Sequence, residues 1–353
     1  MDPELTIKRL RRHAISASMF PPTTLRRALD QLGFVQADPI RSPARAQDLI
    51  LRHRVRDYHA GDLEKRYAFL DLEEDYLYAY GFMPRSLWEV LHPRGPWELN
   101  KMEKQILKVV SANQPIHPQD LGAVFGKEKS INPWGSFSKT TTQTLQSLHY
   151  QGHLRIAGRK KGIRLYESSK EQVASFESSE RLRILVLRIA SILAPLSSRS
   201  LRAVVQHLAY ASPNLERRHF AVTDLIKEGS LESAVFRGIQ YVWPAGRIVR
   251  SKVGESVRFL APFDPIVWDR ARFEHLWGWN YRFEAYTPPA KRKLGYYALP
   301  ILWRDDVVGW VNIKVIKGAL EVEPGFAKSG ADNADFKREF SMEVDRFRDF
   351  LLI

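Results

Sequence analysis

The sequence predicts an α+β protein: tandem winged-helix domains followed by a C-terminal β-barrel-like domain with a closing helix. Three observations carry this. Two segments repeat the order of three helices and a two-stranded hairpin, which is the winged-helix plan. From Arg258 onward the texture turns to strands. Phe336, Phe340, Val344, Phe347 and Leu351 then form the apolar stripe of a last helix.

Residues 5–16 and 22–32 read as helices of a looser first copy. Gly33 suits the left-handed C-terminal cap of the second one. Phe34-Val35-Gln36-Ala37-Asp38 then reads as a short strand that Pro39 stops. Ser42-Pro43 reads as the next helix start. In the first full repeat, helices cover 98–112, a segment from His117-Pro118 through Phe125, and a third from a cap at Ser136 or Ser138 to Gly152. A hairpin follows around Gly158-Arg159-Lys160-Lys161-Gly162. The second repeat has helices at 180–193, 198–210 and 214–227 and a hairpin around Arg237-Gly238. Gly152, Leu154, Gly162 and Ile163 match Gly229, Leu231, Gly238 and Ile239, with one residue fewer in the second turn. Residues 168–179, rich in Ser, Glu and Lys, make the linker, and Arg94-Gly95-Pro96 another boundary. The expected domains are 1–95, 96–167, 168–257 and 258–353. In the last, 296–302 and 307–315 pair around Asp305-Asp306.

At 353 residues the chain is long for one core. A formal charge of +14 and a pI near 9.8 point to a polyanion, nucleic acid before membrane. A basic enzyme with no polyanionic partner is the other reading of the same charge. With no cysteine, disulfides, thiol chemistry and thiolate metal sites are excluded. There is no His-Glu-x-x-His pattern and no Gly-rich phosphate loop, so neither a metal nor a nucleotide cofactor is expected. No signal core or membrane span is legible, and a cytoplasmic protein is expected.

Gln36 and Asp38, about 6.6 Å apart along one strand face, can address the same small object, such as a water beside a sugar carbon. In the helix predicted after Pro43, Arg45, Arg52 and Arg56 fall within an arc of about 40°, and Arg41 precedes them on that side. This row suits phosphates, and equally suits a solvated face paired with Asp48 and Asp57. Arg155, Arg159, Lys160, Lys161 and Arg164 gather charge on the first wing with no acid between them, which favours DNA contact. Lys291, Arg292 and Lys293 open the C-terminal strands with a similar charge. Trp268, Trp277, Trp279 and Tyr281 read as core.

Residues 32–38 followed by Ala44-Arg45-Ala46-Gln47-Asp48 resemble the signature of the AlkZ/YcaQ family of bacterial winged-helix DNA glycosylases. Tyr80-Gly81-Phe82-Met83-Pro84 resembles a second family block. Ala261-Pro262-Phe263-Asp264-Pro265 with Trp268-Asp269-Arg270 resembles the C-terminal one. The resemblance implies three winged helices and a β-barrel around duplex DNA. It also implies excision of alkylated purines and, in some members, unhooking of interstrand crosslinks. Gln36 and Asp38 match the Gln-hydrophobic-Asp branch. Ala37 is a small middle residue, and Pro39 replaces an expected hydroxyl.

The expected reaction is hydrolysis of the N-glycosidic bond of N7-substituted purines by a monomer. Asp38 would stabilise the cationic sugar and activate water, and Gln36 would orient that water. No lysine lies in the motif to form a Schiff base, so strand cleavage is not expected. A non-catalytic winged-helix DNA-binding protein or transcription regulator accounts equally for the charge and the repeats. The Gln-Asp face separates the two readings.

Overall fold

The computed structural model describes residues 6–126, 129–131, 137–169, 176–247, 253–328 and 333–353. Packing divides the chain into two compact units. One comprises Met1–Asp62, Val186–Gln206 and Arg217–Ile353; the other comprises Leu63–Leu185 and His207–Glu216.

In the first unit, helix Ile7–Ser18 starts where the Thr6 hydroxyl accepts from Arg9 N–H. Helix Leu25–Leu32 starts in the same way at Thr24. It ends at Gly33, whose φ of +73° is the left-handed cap foreseen from sequence. A Cβ there would also meet the Arg188 side chain at 2.7 Å, so both conformation and space require glycine. The strand that follows is only Val35–Gln36, shorter than the reading through Asp38. Ser42-Pro43 does not start the next helix either. That helix runs Ala46–Leu51, with Arg45 at the cap position and no side-chain cap bond.

Arg54 ties the N-terminal part of this unit to its C-terminal part. It is fully buried, binds Asp264 through both guanidinium nitrogens at 2.8 and 3.0 Å, and donates to Ser18 and Ile50 carbonyls at 2.7 Å. A charge without water is tolerated only when paired and fully hydrogen-bonded in this way. In the same unit Leu10, Ala14, Ile266, Phe273, Leu276, Trp277 and Tyr281 belong to one apolar cluster.

The C-terminal strands Val257–Phe259, Leu299–Trp303, Asp306–Ile316 and Ala319–Phe326 form an antiparallel sheet in that order. It is open, which corrects the expected barrel. Closure requires the first strand to pair with the last. Here the first strand is three residues long, and helix Ala334–Leu351 packs beside it instead. Phe336 and Phe347 of the expected stripe are buried, and Glu343 on the same helix is fully buried where it accepts from the Phe259 N–H.

The second unit holds the hairpin Leu72–Tyr76/Tyr80–Pro84 and the first repeat. Helices Lys101–Ala112, Pro118–Phe125 and Thr140–Tyr150 precede the hairpin Leu154–Lys160/Ile163–Ser168, and Ile116 bridges to Tyr166. The third helix has Lys139 at its cap position rather than Ser136 or Ser138, and Ser136 lies outside the described residues. The second repeat has helices Ser178–Leu193, Ser198–Ala211 and Arg218–Lys227, then the hairpin Leu231–Phe236/Ile239–Pro244. Part of the expected linker, residues 170–175, lies outside the described residues.

Both hairpins turn in two residues. Lys161-Gly162 and Arg237-Gly238 all have positive φ, the backbone of a type I′ turn. The first turn is therefore shorter than the five residues expected from sequence, because pairing continues to Lys160 and Ile163.

Strand Leu72–Tyr76 contains three successive buried acids, a feature no alternation rule anticipates. Arginines from elsewhere in the unit hold each one. Glu73 takes Arg155 at 2.8 Å and Arg85 at 3.3 Å, Glu74 takes Arg159 and Arg164, and Asp75 takes Arg94 at 2.8 Å. Burial pushes the Glu73 carboxyl up to about 7 against the pull of Arg155 and Arg85.

Candidate active site

The site is built from two chain segments far apart in sequence. Gln36 ends the short strand after the Gly33 cap and is half-buried. The Arg54–Asp264 pair anchors the turn at 264–268, where Asp264 also accepts from Ile266 N–H at 3.1 Å. Its backbone carbonyl accepts from Trp268 N–H at 2.9 Å. The Trp268 indole nitrogen then donates to Gln36 Oε1 at 2.9 Å. The next residue, Asp269, caps helix Arg270–Trp277 by accepting from Arg272 N–H. Arg270 braces the turn through the Val267 and Pro262 carbonyls. These bonds hold the Trp268 indole in place.

That bond decides what Gln36 can do. An indole N–H only donates, so the oxygen of the amide must face it. The oxygen is turned toward the indole, and Nε2, on the other arm of the amide, has no partner among the described residues. Gln36 therefore has its amide nitrogen left to donate to whatever enters the site.

Asp38 lies past the strand, in a turn of its own. Its Oδ1 accepts from Ile40 N–H at 2.8 Å across Pro39, an Asx turn. The strand-face spacing expected for Gln36 and Asp38 therefore does not apply, since the chain leaves the strand before Asp38. The carboxyl is half-buried, and loss of water raises it above its ordinary value, partly opposed by the Ile40 N–H. Near it, Tyr297 is held well above the usual phenol range, first by burial and then by the Asp38 charge. Neither Trp268 nor Tyr297 was singled out from sequence as a site residue. The signal was the indole within the Trp268-Asp269-Arg270 block, read there as core.

The predicted arginine row does not form. Arg41 is exposed and Arg45 partly so. Arg52 lies past the helix end, where Glu343 takes it at 2.7 Å and the Phe347 ring lies 4.4 Å away. Arg56 is exposed, one turn further along a non-helical chain. Asp48, considered as a surface partner, is buried under Tyr58 O–H at 2.7 Å and Gly61 N–H at 3.1 Å.

The first wing divides. Acids do intervene, from another element: Arg155, Arg159 and Arg164 are spent on Glu73 and Glu74. Lys160 and Lys161, at the tip, stay exposed. Lys291, Arg292 and Lys293 do not open a strand. Lys291 ends the short turn Pro289–Lys291, Arg292 and Lys293 follow it, and strand Leu299–Trp303 starts later. Lys291 and Lys293 are exposed, and Arg292 donates to the Thr287 carbonyl and lies 5.0 Å from the Tyr296 ring. Among the described residues no group of three or more His, Asp or Glu could hold a metal, and no helix is long and apolar enough to cross a membrane.

The family described as DNA glycosylase AlkZ-like matches residues 29–350, a span that includes both halves of this site. The structure is similar to that of the Streptomyces sahachiroi DNA glycosylase AlkZ, with a TM-score of 0.64 over 99% of this chain and 97% of the other. At 11% identity that likeness is one of fold.

Proposed function

We propose that this chain, which belongs to the AlkZ-like DNA glycosylase family, hydrolyses the N-glycosidic bond of N7-alkylated purines in duplex DNA. The observation that carries the reading is the Trp268–Gln36 bond beside a half-buried Asp38. A purine alkylated at N7 is already cationic, so its departure needs no strong general acid. The deoxyribose left behind develops oxocarbenium character and needs a nearby negative charge and a placed water. Asp38 supplies the charge and accepts a water proton. The Gln36 Nε2 donates to the oxygen of the same water, which leaves its other lone pair for C1′.

The exposed cations Lys160, Lys161, Lys291 and Lys293, with Arg41 and Arg56, suit phosphate contact. The two helix-hairpin repeats support a winged-helix reading of 96–167 and 168–257, flanked by 1–95 and 258–353. Because no lysine belongs to the Gln36–Asp38 turn, base removal leaves an abasic site without strand cleavage.

The test is incubation with duplex DNA carrying N7-methylguanine, scoring abasic sites for wild type and Asp38→Asn. Excision by wild type and none by the variant, at similar duplex affinity, is expected. Binding without excision by wild type would instead identify a non-catalytic DNA binder. A duplex with a nitrogen-mustard crosslink in the same assay measures unhooking.

A further inference from the structure

A buried hydroxyl with no acceptor among the described residues lies close to this site. Tyr297 is 3% exposed, and its Oη has no hydrogen-bond partner among the described residues. Its ring packs edge-on against Phe283 at 5.2 Å, and Phe283 packs against Phe263 at 5.0 Å. That packing sets where the hydroxyl sits without satisfying it. The residue also lines a cavity of about 500 Å³ together with Ser42, Arg292, Asn312 and Lys314. Ser42 lies four positions after Asp38 on the same loop.

Asp38 shows the complementary deficiency. Its Oδ1 takes the Ile40 N–H, and its Oδ2 has no donor among the described residues. Of the charged groups that bear on Tyr297, Asp38 acts most strongly. A donor without an acceptor and an acceptor without a donor thus stand in one neighbourhood of the first unit. In the free protein, water can serve a half-buried carboxylate. A bound duplex removes that solvent, and apart from the attacking water the carboxylate keeps one bond, too few to fix its orientation. A phenol is suited to replace the water because it is neutral. Unlike an arginine, it orients the carboxylate without cancelling the charge that the cationic sugar needs.

We propose that Tyr297 is a positioning residue of the excision reaction, donating its hydroxyl to Asp38 Oδ2 when DNA closes the site. This rests on the reading of Asp38 given above. The Gln36 amide stays available for the water, so the two donors divide the two tasks.

Tyr297→Phe removes one oxygen and keeps the ring packing. It is expected to unfold at the wild-type temperature or above, since the lost hydroxyl has no partner to forfeit. Single-turnover excision of N7-methylguanine should fall about 10- to 100-fold, the range for a hydrogen bond to a charged group, at unchanged duplex affinity. The acidic limb of the rate profile should also move to higher pH, because a donor that favours the ionised carboxylate is gone. The other ionisable groups around Tyr297 are the phenols of Tyr281, Tyr286 and Tyr296 and, in the cavity, Arg292, Lys314 and the carboxyl of Glu323. Glu323→Gln should keep the wild-type limb, since the limb belongs to Asp38. Tyr296→Phe on the same segment is the control and should leave rate and limb unchanged.

A purely structural Tyr297 would not move the acidic limb. Wild-type rate and limb in Tyr297→Phe, with excision lost in Asp38→Asn, overturn the positioning role alone. Excision persisting in Asp38→Asn overturns the reading beneath it.

Discussion

The Trp268 indole nitrogen lies 2.9 Å from the Gln36 side-chain oxygen, across 232 positions of sequence. This contact turns an ambiguous amide into a directed donor. It joins the N-terminal motif to the C-terminal block, and gives that block a chemical reason to be there.

Trp268→Phe keeps a ring in place but removes the N–H. The Gln36 amide is then free to turn either end toward the water. Excision is expected to slow about tenfold, the effect of one neutral hydrogen bond of roughly 1.4 kcal/mol, with duplex affinity held within about twofold. Wild-type turnover in this variant would show that the amide orientation has no part in catalysis.

Asp38 links activity and stability in opposite directions. Its folded-state carboxyl is raised above 3.8 by burial, so the fold favours the protonated form. Its contribution to stability is full below the unfolded carboxyl's value and is lost as pH rises through the folded one. At neutral pH Asp38→Asn should therefore unfold at the same temperature or higher while excision is lost. A lower melting temperature would mean that the ionised group is a structural asset.

The first wing separates binding from folding. Lys160→Glu with Lys161→Glu should weaken duplex binding and reduce the salt slope by about 1.8, at 0.9 per phosphate contact. Thermal stability should not change, since both side chains are exposed. Arg155→Ala should do the reverse. It leaves Glu73 fully buried with only Arg85, at an expected cost of about 3 kcal/mol by denaturant unfolding. Equal stability in the two variants would sink this division.

Arg54 and Asp264 are both fully buried, so losing either leaves an uncompensated charge. Asp264→Ala is expected to cost about 3–5 kcal/mol. In a double-mutant cycle with Arg54→Leu the two losses should not add, because the charges answer each other. The folded fraction of Asp264→Ala should also excise more slowly, since the Asp264 carboxylate ties the turn that carries Trp268 to Arg54 and to the Ile266 N–H.

Much of the architecture was legible locally. The Gly33 stop, the repeated helices and hairpins, and the apolar stripe of the last helix are periodicities and caps, written within a few residues of where they act. Gln36 and Asp38 stood out as candidates for the same reason, as a short motif at the end of a capped helix. Charge contacts were not. Arg52, Arg159 and the buried acids of Leu72–Tyr76 look like surface residues in sequence, because solvation depends on what packs above them.

The order of helices, turns and strands follows from neighbours along the chain, whose sterics and hydrogen bonds need no third party. Which cations face solvent, which end of the Gln36 amide is presented, and whether the last strands close were decided only by tertiary structure. Each depends on a partner tens to hundreds of residues away, brought close by burial, and no local pattern encodes the water that burial removes.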